Sequence, residues 1–176
     1  MNRLMHRLAF HRLVVHRLVF LKSRTQWRQG IKAALITLSV LLVIHMNFGI
    51  LINNTASLPY KVFLHLKTWP PSKGEYTVIR RAFYPIAIIK QIKGEGGDIL
   101  HYKGAEVLEL WINDQKIGYP QTLNSLGKPL TPIAAQTIPQ GFVFLFASNP
   151  KSFDSRYAEM GLIAKRDLQG RAVPLW

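Results

Sequence analysis

From Ala33 to Ile52 the chain runs A-A-L-I-T-L-S-V-L-L-V-I-H-M-N-F-G-I-L-I, twenty residues without a charged side chain. As a helix this run rises about 30 Å, the thickness of a bilayer hydrocarbon core, so it reads as a transmembrane helix over residues 33–52. His45 and Asn47 lie toward its far end, where a polar side chain reaches the interface. A cleavable signal peptide is the competing reading, because Thr55-Ala56-Ser57 is a small-residue cluster of the kind that follows one. A signal-peptide core spans about 7–15 residues, however, and the longer run after a basic arm suits an uncleaved anchor.

Charge orients that anchor. The chain carries 23 Lys+Arg against 9 Asp+Glu, a formal net charge of +14, and residues 1–32 hold eight of the bases and no acid. The positive-inside rule then places a basic arm, residues 1–32, in the cytoplasm and residues 53–176 outside it. Within the arm His-Arg-Leu recurs at His6, His11 and His16, a period of five that matches neither a helix face nor strand alternation. Each histidine adjoins an arginine, which disfavours a metal ion, so the arm reads as a solvated tail or one bound to anionic lipid headgroups. The absence of cysteine excludes a disulfide scaffold, a thiolate metal site and a cysteine nucleophile.

The 120 or so residues after the anchor are punctuated like a β protein. Strand-like runs at Tyr60–Leu64, Tyr76–Ile79, Ile86–Ile92, Leu110–Ile112, Gln115–Ile117 and Phe142–Phe146 are separated by Pro/Gly/Asn/Asp clusters, and Gly170 introduces a last strand ending at Trp176. Asn113-Asp114 suits a two-residue hairpin turn, and residues 118–138 read as a long loop. The expected fold is mainly β: antiparallel sheets with little helix beyond the single N-terminal anchor.

Few groups here can do chemistry. His65 and His101 lie in apolar or aromatic strand-like stretches, no carboxylates recur at a metal-ligand spacing, and Gly94-Glu95-Gly96-Gly97 lacks the Lys-Ser/Thr of a phosphate loop. No metal or other cofactor is expected. Serine and lysine remain. Ser57 follows the apolar run by five residues, so its hydroxyl lies within about 17 Å of the membrane surface. Lys90 sits in Ile86-Ala87-Ile88-Ile89-Lys90-Gln91-Ile92, where alternation puts it on one face with Ile86, Ile88 and Ile92. An apolar face disfavours the ammonium, and lowering its pKa to about 8 corresponds to roughly 3 kcal/mol of differential desolvation. A lysine so shifted can take the proton of a serine hydroxyl. Taken singly, Ser57 is an ordinary loop serine and Lys90 an ordinary strand lysine.

Order and spacing change that reading. Ser57-Leu58-Pro59, Lys73-Gly74-Glu75-Tyr76-Thr77-Val78, Lys90 through Gly97-Asp98, Ser152-Phe153-Asp154-Ser155-Arg156-Tyr157 and the closing Gly170-Arg171-Ala172 follow one another as in the type I signal peptidases, the membrane-anchored Ser/Lys proteases, which residues 55–176 resemble. The resemblance implies a bacterial inner-membrane, single-pass serine endopeptidase with its catalytic domain in the periplasm and a precursor protein as substrate. It implies Ser57 as nucleophile, Lys90 as general base, and the Thr55 hydroxyl with the Ser57 N–H as oxyanion hole. It further implies Ser152 as orienting partner of the lysine, Asp154 and Arg156 as a bracing pair, and Gly97 and Asp98 as supporting residues. Leu58 and Ile89 would line shallow pockets for small substrate residues. Lys93, on the opposite face from Lys90, competes weakly for the base role.

The chain departs from the general enzymes in having Phe146-Ala147-Ser148-Asn149-Pro150-Lys151 before Ser152, Leu58 in place of Met, and only about fifty residues between the lysine and final motifs. In these features it is similar to the TraF-like conjugative-transfer peptidases, which implies maturation of a pilin precursor and, in some members, head-to-tail joining of the product. Two other classes stay open: a catalytically inactive membrane scaffold of a transfer apparatus, and a basic anchor that binds anionic lipid or nucleic acid. Nucleic acid is not an expected partner, because the exported part shows no interleaving of aromatic and basic residues.

Overall fold

A computed structural model describes residues 26–80, 87–124 and 127–176. Most of the arm, including its histidine repeat, and Ile86 lie outside the described residues. The chain divides into two units, one through Met46 and one from Asn47 to Trp176.

In the first unit, helix α1 spans Gln26–Asn47, long and apolar enough to cross a membrane. Its apolar side chains, among them Leu35, Ile36, Leu38 and Leu41, are exposed along its length, as suits a helix whose solvent is lipid. The helix begins earlier and ends earlier than the apolar run suggests. Phe48–Ile52, expected as its last turns, instead forms strand β1. The reason is local and tertiary together: Gly49 is a poor helix former, Ile50 and Ile52 favour strands, and β2 (Val62–Leu66) supplies an antiparallel partner in the register Phe48↔Leu66 to Ile52↔Val62.

In the second unit the remaining strands are β3 (Tyr76–Ile79), β4 (Ile88–Glu95), β5 (Ile99–Lys103), β6 (Glu109–Ile112), β7 (Gln115–Gly118), β8 (Gln136–Thr137), β9 (Phe142–Phe146), β10 (Ile163–Ala164) and β11 (Leu168–Pro174). They form a seven-stranded sheet in the order β1-β2-β11-β3-β4-β9-β10 and a four-stranded sheet in the order β7-β6-β5-β8. All pairings are antiparallel, as the sequence leads one to expect. Asn113-Asp114 makes the expected turn between β6 and β7, with Asn113 taking φ 50°, a value asparagine tolerates.

Cross-strand pairing fixes what faces the core. Val78 opposes Ile89 and both enter a cluster with Leu58, Phe63, Ala147 and Ala172. Ile79 opposes Ile88, Ile92 opposes Leu145, and this second face packs with Val143, Met160 and Ile163. Lys90 therefore lies between Ile88 and Ile92 on a buried face, opposite the buried Thr77. Thr77 Oγ1 in turn donates to the Gly170 carbonyl (2.9 Å), which is available because the β11–β3 register shifts between Leu168 and Arg171.

That irregularity needs glycine. Gly170 has φ +82°, and a Cβ there would sit 2.3 Å from the Leu66 carbonyl oxygen and 2.7 Å from that of Lys67. Gly170→Ala should therefore destabilise the protein by at least about 2 kcal/mol. Chemical denaturation of the detergent-solubilised chain checks this, and an unchanged midpoint would show that the bulge can relax.

Candidate active site

Asn53 to Lys61 form the loop that joins β1 to β2, and hydrogen bonds close it at its base. Asn53 N donates to Lys61 O (2.7 Å), and Asn53 Nδ2 donates to Tyr60 O (3.0 Å). Asn53 Oδ1 accepts from Thr55 N (3.2 Å) and from Thr55 Oγ1 (2.7 Å), an Asx-type turn that sets the path of the chain into Ser57. Ser57 Oγ lies 2.7 Å from Thr55 Oγ1. A second asparagine holds the loop from across the molecule: Asn149 N donates to Ser57 O (3.2 Å) and Asn149 Nδ2 to Ala56 O (2.9 Å).

Ser57 and Lys90, far apart in the chain, line the same cavity of about 500 Å3. Its walls are apolar at Leu51, Ile52, Ile88 and Ile89, and Thr55, Asn149 and Ser152 add polar groups. Lys90 is 3% exposed, and its Nζ donates to Ser152 Oγ at 3.4 Å. Burial pushes the Lys90 ammonium down from its ordinary 10.5 to about 8; Asp154 opposes the shift and Arg156 adds to it. At pH 7 about one such lysine in ten is neutral, against roughly one in three thousand for an unshifted side chain.

Asp154 and Arg156 sit in the turn after Ser152, not on a strand, and they are wholly buried. Their ion pair is two-pronged: Arg156 Nε donates to Asp154 Oδ1 (2.8 Å) and Nη2 to Oδ2 (2.9 Å). Asp154 Oδ2 also accepts from Ala147 N, and the same Nη2 reaches the carbonyls of Asn149 (2.9 Å) and Ser152 (3.2 Å). The Arg156 guanidinium lies between the rings of Phe146 and Tyr157, 5.1 and 5.8 Å from their centroids. This burial sets the pair apart from a surface ion pair.

Other residues singled out in the sequence lie elsewhere. Leu58 is buried in the cluster with Phe63 and Val78 and is not among the residues lining the cavity, whereas Ile89 is. Gly97 and Asp98 form the turn from β4 to β5, outside the cavity lining. Gly97 takes φ +97°, and Asp98 accepts from Lys73 Nζ (2.7 Å), Glu95 N (2.9 Å) and Asn113 Nδ2 (2.8 Å), tying that turn to the β6–β7 turn. Asn53 and Asn149 are the residues that sequence reasoning missed. Their signal was available in the short polar stretches Asn53-Asn54-Thr55 and Ser148-Asn149-Pro150, which read as turns.

Removing one member of the buried pair leaves the other charge without a partner. Arg156→Met should cost about 3–5 kcal/mol of stability, and Arg156→Lys should not restore it, because an ammonium cannot match two carboxylate oxygens and two carbonyls at once. Denaturant midpoints of the three proteins decide this, and near-native stability of Arg156→Lys would refute the two-pronged role.

The family model for "Signal peptidase, peptidase S26" matches residues 25–176, most of the chain. No curated protein matches it. That family consists of serine peptidases acting on precursor proteins, and the extent of the match leaves no doubt about membership: the chain belongs to the signal peptidase family, peptidase S26.

Proposed function

We propose that this chain is a membrane-anchored Ser/Lys endopeptidase in which Ser57 is the nucleophile and Lys90 the general base. The observation that carries the reading is that the two residues line one cavity, where the lysine is almost wholly buried and its pKa brought to about 8. In the acylation step neutral Lys90 takes the Ser57 proton while Oγ bonds the scissile carbonyl carbon and the carbonyl π pair moves onto oxygen. The Ser57 N–H and the Thr55 hydroxyl face that developing charge, donors of a kind worth about 3–4 kcal/mol of barrier each. Lys90 then passes the proton to the leaving amine, and the acyl group remains on Ser57. Water completes hydrolysis, and a peptide amine would complete joining.

Ser152 holds the Lys90 amine, and Asp154 with Arg156 holds Ser152. The apolar wall at Ile89 and its neighbours suits small residues at the first and third positions before the cut. By the positive-inside rule the basic arm supports a cytoplasmic N-terminus and a periplasmic catalytic domain in a bacterium, with the substrate cut close to the membrane surface. The Asn-Pro-Lys-Ser-Phe-Asp-Ser-Arg segment and the small second sheet favour the conjugative-transfer branch, with a pilin precursor as substrate.

Two experiments test the assignment. With a co-expressed precursor, Ser57→Ala and Lys90→Ala should each abolish processing while the protein stays folded and membrane-bound, and Lys93→Ala should keep most of it. Mass spectrometry of the product reads both termini, and substantial processing by Ser57→Ala would sink the dyad. Because the active base is the deprotonated lysine, activity should rise with pH along a limb centred near 8. Lys90→Arg should be inactive at every pH, since a guanidinium stays protonated; an active Lys90→Arg enzyme would exclude Lys90 as base.

A further inference from the structure

Proton counting assigns a direction to each hydrogen bond around the Ser57 hydroxyl. The Asn53 carboxamide is fixed on both sides, its Nδ2 donating to Tyr60 O (3.0 Å) and its Oδ1 accepting from Thr55 N (3.2 Å). An amide oxygen only accepts, so the 2.7 Å bond between Thr55 Oγ1 and Asn53 Oδ1 uses the Thr55 proton. A hydroxyl has one proton. In its 2.7 Å bond with Ser57, Thr55 Oγ1 must therefore accept, and Ser57 Oγ must donate. The resting relay runs from Ser57 to Thr55 to Asn53, and the nucleophile's proton is engaged by Thr55.

We infer that Asn53 is a positioning residue that competes with the reacting carbonyl oxygen for the Thr55 proton. The inference rests on the Ser/Lys reading above. As Ser57 Oγ bonds the carbonyl carbon and its proton passes to Lys90, Thr55 Oγ1 loses the bond it was accepting. Its own O–H then turns from Asn53 Oδ1 to donate to the new oxyanion. Asn53 Oδ1 keeps the Thr55 backbone N–H, and Nδ2 keeps Tyr60, so the loop holds its path while the hydroxyl turns. A neutral amide oxygen is a suitable competitor: it orients the hydroxyl at rest and yields to a full negative charge, because bonds to a charged acceptor are roughly twice as strong as those between neutral groups. A carboxylate at position 53 would be an equal rival of the oxyanion.

The test compares Asn53→Asp with Asn53→Ala in the full chain in detergent micelles. The probe is an internally quenched peptide with alanine at the first and third positions before the cut. Asn53→Asp should lower kcat at least about tenfold, and more than Asn53→Ala does, with KM within about twofold and the alkaline limb unmoved. If Asn53 served only to shape the loop, aspartate, which keeps the acceptor, would be the milder change. The same pair is then made in a Thr55→Val background, followed by single-turnover cleavage over days. There Asn53→Asp should change the rate by less than about twofold, since no hydroxyl proton remains to be held. An equal loss in both backgrounds, whether from misfolding or from a field acting directly on Lys90, would overturn the inference, as would an Asn53→Asp enzyme at least as active as Asn53→Ala. Absence of Ser57-dependent cleavage in the unsubstituted chain would instead overturn the peptidase reading on which it rests.

Discussion

The Arg156 guanidinium is 2% exposed, and a buried cation must find protein partners for every N–H it cannot offer to water. Its Nε and Nη2 groups find them in the Asp154 carboxylate and in the carbonyls of Asn149 and Ser152. Satisfying one charge thus fixes the whole segment from Ala147 to Arg156. Two of the four residues of that segment that line the cavity hold the lysine and the serine loop in place: Ser152 accepts from the Lys90 amine, and Asn149 donates to the carbonyls of Ala56 and Ser57. The geometry of the serine and of the lysine therefore depends on one ion pair that touches neither.

The lysine depends on the sheet as well. β4 is paired on both sides, to β3 and to β9, so Lys90 cannot swing to an edge and reach water without breaking ladder hydrogen bonds. Ile88 and Ile92 flank it along the strand and Thr77 faces it, and that setting makes the neutral amine accessible near physiological pH. The same Thr77 is anchored to the Gly170 bulge in β11. A glycine at the far end of the chain thereby takes part in shaping the environment of Lys90.

Much of this was legible from residue patterns. Alternation placed Lys90 with Ile88 and Ile92, the turn chemistry of Asn113-Asp114 located a hairpin, and the apolar run announced a helix of membrane-spanning length. Where the reading went astray, the signals were local and the deciding contacts were not. Phe48–Ile52 is as apolar as the helix before it, and Val62–Leu66 alongside turns its local strand preference into a strand. The family resemblance made Leu58 a candidate pocket wall, yet its side chain packs into the core with Phe63 and Val78.

By itself the sequence determined the mainly β class, the apolar helix, most of the longer strands and the residue types able to carry out chemistry, because periodicity, turn propensity and side-chain reactivity are properties of short stretches. The tertiary structure decided which of those residues meet. Asn149 is an ordinary turn former in the sequence, and its hold on Ala56 exists only because a hydrogen bond specifies a partner in space and not a distance along the chain. Desolvation is likewise a property of everything packed around a group. The sequence could place Lys90 on an apolar face, but only the assembled sheet, with Thr77 opposite and Asp154 and Arg156 nearby, sets how far its ammonium is destabilised.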